Sequence, residues 1–316
     1  MPTTPINGSA TFPATANEYV TAVETIASQN IRSVVSTNRI EDAFYEYQVE
    51  DGKVIQEAII AMAEAQSFTP VAEGAQPNLA PVDPKLYIRY FNNFVEKQFK
   101  TTIRNDEIRA VMARGNSAEE TASRILDTLT QGEGDYDYSQ ERAIIEDASV
   151  GVDASTALLG GKVPASSKGI MYAVRRMFNA IKATNLVGLA DGVSTKQGVP
   201  VEDIRIAISE DVLALVDMTE LANLFNLSKE EILGKVVSLP YDSNYTGSRV
   251  LVYDRKALGR ATRTFEYGMA DLRGTNRYVL HALTTSRAYF YNGLFKCLSL
   301  DVSAAKAAEE ANLLEE

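Results

Sequence analysis

Residues 117–148 read SAEETASRILDTLTQGEGDYDYSQERAIIEDA, and the architecture of the chain turns on them. Ser117 and Glu120 form a capping box, in which hydroxyl and carboxylate satisfy the free amides of a helix start. Ala118, Ala122, Ile125, Leu126 and Leu129 then recur on one face of a 3.6-residue period. Gly132 and Gly134 predict an interruption, because glycine weakens a helix interior. The helical pattern resumes from Ser139 to Ala148. The region is acidic as well: between Asp106 and Asp147 there are 11 acids and 4 bases.

On the N-terminal side, Leu86 to Ile103 read LYIRYFNNFVEKQFKTTI, dense in aromatic and β-branched residues. This predicts a long strand or hairpin arm, too long and too polar for a plain core strand. Such an arm needs a partner surface. Before it, Phe68 to Pro84 are loop-like, with Pro70, Gly74, Pro77, Pro81 and Pro84. Val54 to Ala65, VIQEAIIAMAEA, fit a helix or a buried strand equally. FYEYQV, from Phe44, alternates aromatics as a strand does. Glu18 to Ser28 suggest a short helix, and residues 1 to about 17 an extended arm.

On the C-terminal side, Ser166 to Thr184 predict a second amphipathic helix, with Met171, Val174, Met177, Phe178 and Ile181 on one face. Arg175, Arg176 and Lys182 lie largely off that face. Ile204, Ile206 and Ile208 alternate along a strand. Asp217 with Glu220, and Ser228 with Glu231, form further capping boxes, and Gly234 suits a helix C-terminus. Val236–Leu239 and Val250–Tyr253 read as strands linked by the turn-rich PYDSNYTGS. Tyr278 to Leu300 are β-prone, and AAKAAEEANLLEE forms an acidic helical tail. There is no internal repeat, and the class is α+β.

The chain has 316 residues, 45% hydrophobic and 23% charged, with a formal net charge of −11. That composition suits a folded protein and disfavours a general nucleic-acid binder, since such a surface repels phosphates. One cysteine, Cys297, excludes an intrachain disulfide framework and a cysteine-rich zinc site. One histidine, His281, excludes a multi-histidine metal site. The N-terminus has no basic residue or apolar block and does not read as a secretory signal. No run of 18 apolar residues predicts a membrane span, so the expectation is a soluble chain made in a reducing cytoplasm.

Motifs for chemistry fail on inspection. Gly160-Gly161-Lys162 lacks the earlier glycine and the following hydroxyl of a phosphate loop, having Thr156 and Val163 there. Gly192-Val-Ser-Thr-Lys fails the nucleophile-elbow pattern at its last position. Glu133, Asp135 and Asp137 space three carboxylates as a Ca²⁺ loop would begin, but the series ends too soon. Asp135 and Asp137 are also the carboxylate pair a hydrolase reading would use, with no nucleophile or orienting group to join them. His281, in YVLHALTT, reads as a core or interface histidine, and Cys297 as a small buried hydrophobe. No catalytic residue, cofactor or metal ligand is assigned. Charge distribution is more informative. Between Asp254 and Arg287 there are 7 bases and 3 acids, opposite in sign to the acidic stretch. Either both are solvated faces, or they meet across neighbouring copies in a heterologous contact.

Three blocks carry a family likeness: Ile103 to Ala148, Val201 to Pro240 and Val250 to Cys297. In their order and texture the chain resembles the major capsid proteins of tailed bacteriophages, which have the Hong Kong 97-type shell fold. It looks closest to those of small short-tailed phages of the protein-primed Bacillus type. The resemblance implies an N-terminal arm (1–53), an extended loop with flanking strands (54–104) and a peripheral domain with a spine helix (105–200). It further implies an axial domain (201–260), returning strands (261–300) and an acidic tail (301–316). The implied role is a non-enzymatic subunit that self-assembles through pentamers and hexamers into an icosahedral shell enclosing double-stranded DNA. The DNA would not be bound sequence-specifically, and no membrane is involved. Scaffolding, portal and decoration proteins are the further partners implied, with assembly in the host bacterial cytoplasm and a final place in the virion. Added immunoglobulin-like domains, a fused scaffold and autocatalytic lysine–asparagine crosslinks have no support in the sequence. Candidate inter-subunit contacts are Phe68, Tyr87, Tyr90, Phe91, Phe94 and Phe99, which would otherwise be an ordinary β core. The charged candidates are Glu119, Glu120, Asp135, Asp137, Arg255, Arg260, Arg263, Arg273 and Arg277. The alternative is an encapsulin-type nanocompartment shell packaging a cargo enzyme.

Overall fold

The computed structural model describes residues 40, 43–50, 53–60, 86–104, 118–183, 198–216, 235–271 and 278–315. Residues 1–39 of the N-terminal arm with the Glu18–Ser28 helix, the proline-rich loop, the capping boxes at 217–231, Gly192 and Gly234 lie outside them.

Two of the three sheets hold the body together. The first has strand order β1-β9-β10-β4, comprising β1 (Tyr45–Gln48), β9 (Leu258–Asp271), β10 (Tyr278–Tyr291) and β4 (Val95–Arg104). β9 and β10, 14 residues each, pair antiparallel along nearly their whole length, with a register shift at Ser286/Arg287. β1 joins β9 in parallel, and β4 joins β10 antiparallel.

Across β10 and β4 lies α1 (Ala118–Glu146), one helix of 29 residues and about 44 Å at 1.5 Å per residue. Gly132 and Gly134 do not interrupt it, contrary to the sequence expectation. Each glycine costs about 1 kcal/mol in a helix interior. Packing against the sheet outweighs that cost. Leu126, Leu129 and Ile145 are buried, and a Cβ on Gly132 would stand 3.7 Å from the Phe99 ring.

The second sheet has order β5-β11-β8-β6-β7, from β5 (Val152–Asp153), β11 (Cys297–Asp301), β8 (Arg249–Asp254), β6 (Ile204–Ser209) and β7 (Val236–Leu239). It draws on three separated stretches of chain, and both its faces are covered. On one face Ile204, Ile206, Ile208, Val250, Val252, Leu298 and Leu300 pack against α3 (Ser167–Lys182). The buried side of α3 includes Met171, Val174, Met177, Phe178 and Ile181, as its periodicity predicts. Ser166 caps it by accepting from the Gly169 amide at 3.3 Å. On the other face Ala207, Leu251, Tyr253 and Cys297 meet Ile40, Phe44 and Ile145. β6 is therefore almost wholly buried, with isoleucines on one side and the small Ala207 on the other. Two short helices, α2 (Ala154–Leu158) and α4 (Glu210–Leu215), flank the sheet, and α5 (Ser303–Glu315) docks through Val302 and Ala305.

The third sheet is a ribbon of β2 (Ile55–Ile60) and β3 (Leu86–Phe91), paired from Ile55↔Phe91 to Ile60↔Leu86. The ambiguous 54–65 segment thus begins as a strand. The stretch 86–103, expected as one arm, divides between two sheets. It breaks at Asn92–Phe94, where Asn93 Nδ2 donates to the Tyr289 carbonyl at 3.0 Å. Asn92 Oδ1 accepts from Arg263 of β9, so both asparagines bond across to the four-stranded sheet where the chain passes from ribbon to sheet.

Candidate assembly interface

The acidic face of α1 is the first element of the site. Glu133, Asp137 and Glu141 follow one another at intervals of four, so they form one stripe down the helix. All three are buried. Arg287 on β10 pairs with Glu133 and Asp137, and the Tyr289 hydroxyl donates to Asp137. Arg260 on β9 reaches Glu141 at 3.1 Å and Glu46 on β1 at 3.8 Å. The opposite charges of the two regions therefore meet inside one subunit, which is neither the pair of solvated faces nor the contact between copies that the sequence offered. At the helix C-terminus, which lacks a basic residue in its last turn, Arg249 of β8 donates to the Ile145, Ala148 and Val150 carbonyls. A cation there complements the negative end of the helix.

The ribbon is the second element. Its inner face is fixed to the body: Phe91 stacks on Phe290 with centroids 4.1 Å apart, and Ile55 packs with Ala261, Ala288 and Phe290. Ile59 and Tyr87 rest on Leu294 and Phe295. Arg263 of β9 ties the ribbon's two ends. It donates to the Lys53 carbonyl at 2.8 Å and to Asn92 Oδ1 at 3.4 Å, with its guanidinium over the Phe94 ring.

The outer face carries Gln56, Ala58 and Ile60 on β2 and Leu86, Ile88 and Tyr90 on β3. Register places them opposite one another as Gln56/Tyr90, Ala58/Ile88 and Ile60/Leu86. Ile60 and Tyr90 are each 64% exposed, and Leu86 53%. This is an apolar patch on a ribbon too small to be stable by itself.

Of the candidates named from sequence, Tyr90 and Asp135 are exposed. Tyr87, Phe91, Phe94 and Phe99 are half-buried and pack within the subunit, Phe99 against Tyr136 of α1. Asp137 and Arg260 are buried in intramolecular ion pairs, which removes them from the outer surface: a charge is tolerated there only when paired. Arg255 is half-buried in the turn before β9, and Arg263 is held at the ribbon's base. Glu119 and Glu120 lie in the first turn of α1, with side chains that are not described. Phe68, Arg273 and Arg277 fall outside the described residues. Sequence reasoning missed Ile60, Leu86 and Ile88. The signal was present, since LYIRYF places apolar residues on both faces of one strand.

Among the described residues, no group of three or more acidic, histidine or cysteine side chains could hold a metal, and no helix is long and apolar enough to cross a membrane. His281 and Cys297 are both buried, as their sequence contexts predict.

Comparison with solved structures gives the fold. The capsid structure of Staphylococcus phage Andhra matches with a TM-score of 0.56 at 14% identity, over 86% of each chain. Helicobacter pylori bacteriophage KHP40, in its head structure, gives 0.53 at 9% identity over 85% of this chain and 92% of that one. Microbacterium phage Oxtober96 gives 0.52 at 13% identity over 89% and 98%. The α+β arrangement is the Hong Kong 97-type fold. No curated protein matches by sequence. The family model for Phi29-like phage major capsid proteins matches residues 4–300, which does not favour the nanocompartment alternative. The chain therefore belongs to the Phi29-like phage major capsid protein family, and it is a structural shell subunit, not an enzyme.

Proposed function

We propose that this subunit closes an icosahedral head from pentamers and hexamers around double-stranded DNA, with portal and scaffolding proteins as partners and the host cytoplasm as the place of assembly. One observation carries the reading: the β2–β3 ribbon leaves Ile60, Leu86, Ile88 and Tyr90 in water. Removing apolar surface from water contributes about 25 cal/mol per Å², so the patch favours association. The ribbon overlies a neighbouring copy and is covered by it. In this reading α1 is the spine helix, and it forms the peripheral domain with the β1-β9-β10-β4 sheet. The five-stranded sheet with α3 forms the axial domain, which thereby draws β5 and α3 from 105–200 and β11 from beyond 260. The extended loop is the 54–94 part of 54–104, β4 belonging to the peripheral sheet. Among the candidates whose side chains are described, Tyr90 and Asp135 are those left to face a neighbour.

The test is expression of the full chain, followed by size exclusion and negative-stain microscopy. Closed shells, sheets or tubes support the reading, and particle diameter gives copy number. A subunit that stays monomeric when the neighbouring head genes are co-expressed overturns it. Deleting Pro70 to Pro84 leaves a soluble subunit that cannot form closed shells; normal shells from that variant remove the extended loop from the account.

A further inference from the structure

Residues 154–190 form the longest acid-free stretch of a chain that carries 42 acids overall. Five bases fall within it: Lys162, Lys168, Arg175, Arg176 and Lys182. Four of them belong to α3, whose opposite face is sealed against the five-stranded sheet. Lys168, Tyr172, Arg175, Arg176, Asn179 and Lys182 are all exposed. At 100° per residue they fall within an arc of about 120°, a single outward stripe roughly 21 Å long. Arg176 lies over the Tyr172 ring, 5.9 Å from its centre. Among the described residues no carboxylate pairs with the four cations of this stripe, whereas Arg142, Arg260, Arg287 and Lys306 are all matched by acids.

We infer that the outward stripe of α3 contacts the phosphate backbone of the enclosed DNA, so that this side of the five-stranded sheet faces the genome. The inference rests on the reading of the chain as a shell subunit. Charge complementarity points to phosphate, because four unpaired cations without an interspersed acid match a polyanion. Duplex DNA carries one charge per about 1.7 Å of its axis, so a 21 Å stripe meets several phosphates in any register. A helical protein partner fits less well. It needs apolar anchors at helical spacing, and the stripe offers only Tyr172. The contact is local and sequence-independent. It is compatible with the net charge of −11, which keeps the rest of the surface from holding the DNA.

Two measurements test this. Unassembled full-length subunit is titrated into a labelled 30-base-pair duplex between 50 and 200 mM salt. The comparison is a variant with Lys168→Gln, Arg175→Gln, Arg176→Gln and Lys182→Gln. A control carries Lys97→Gln and Lys100→Gln, at exposed bases of β4. We expect the stripe variant to bind at least tenfold more weakly at 50 mM, with a log–log salt slope shallower by about 0.9 for each phosphate it no longer neutralises. The control keeps the wild-type curve. Equal binding by wild type and stripe variant, or no binding by either, overturns the inference. The second measurement places a photo-crosslinking phenylalanine analogue at Tyr172 in DNA-filled heads. An adduct to DNA supports the assignment; an adduct to protein, or none, overturns it. Failure to form heads is read separately by microscopy and counts against the shell reading, while the duplex titration still decides the role of the stripe.

Discussion

The guanidinium of Arg263 sits 3.8 Å from the centre of the Phe94 ring. Phe94 belongs to the short link between β3 and β4, and the same arginine holds the Lys53 carbonyl just before β2. One side chain therefore fastens both chain ends of the ribbon at its base, in addition to the apolar contacts of Ile55, Ile59, Tyr87 and Phe91 with the body. Partly exposed cation–π contacts contribute about 0.5–1 kcal/mol, and the hydrogen bonds a similar amount each. Arg263→Ala should therefore lower global stability by about 1.5–3 kcal/mol. Hydrogen exchange is the sharper readout. Amides of 53–60 and 86–94 should exchange faster in the variant, with α3 unchanged, and Arg263→Lys should restore little because a lysine cannot serve both ends. Uniform protection in wild type and variant would remove Arg263 as the tie.

Arg260 and Glu141 make a different kind of contact, 3.1 Å long and closed to water. Removing one partner strands a buried charge, so Arg260→Met and Glu141→Leu should each cost about 3–5 kcal/mol. Together they should cost clearly less than the sum, because the double variant buries no unpaired charge from this pair. A double-mutant cycle by urea unfolding checks this. Additivity within about 0.5 kcal/mol would mean the two residues act independently.

That pair also shows how far the sequence could be read. The stripe Glu133, Asp137, Glu141 and the bases of 254–287 were visible as opposite charge blocks. Their meeting within one subunit was not, because helix periodicity tells which residues share a face and nothing about what the face covers. Gly132 and Gly134 misled for a related reason. Local propensity predicts a break, whereas Phe99 and the buried ion pairs, contributed from far along the chain, keep the helix continuous. The α3 face and the strands β6, β7 and β8 were legible because their patterns are local. The division of 86–103 between two sheets was not, since the aromatics of both strands look alike until their partners are known.

His281 gives a clean pH prediction, being the chain's one histidine. It sits on β10 opposite Thr101 of β4 and Met269 of β9, and its Nδ1 shares a 2.6 Å hydrogen bond with the Tyr267 hydroxyl. Burial lowers its pKa to about 4. Below the unfolded value near 6.5 the unfolded chain takes up a proton that the folded chain refuses, so stability falls with falling pH. Between pH 7.5 and 5.5 the loss attributable to this group is about 1.4 kcal/mol. The difference between wild type and His281→Phe isolates it from carboxylates. A difference that does not change with pH over that window would place the imidazole in contact with water.

The outer face of the ribbon separates folding from assembly. Leu86 and Ile88 point away from the body, so Leu86→Asp with Ile88→Asp removes no core contact. Surface changes of this kind usually shift stability by no more than about 0.5 kcal/mol each. Buried against a neighbour, the same two carboxylates would be unpaired, and desolvating each would cost several kcal/mol. The variant should therefore unfold at nearly the wild-type urea midpoint, remain soluble, and fail to form closed particles under conditions where wild type does. Ile55→Asp is the matched opposite. It faces inward against Ala261, Ala288 and Phe290, and should be lost to misfolding before assembly is at issue. If the outward pair assembles normally, the ribbon's apolar face is not an interface, and another surface must hold the shell together.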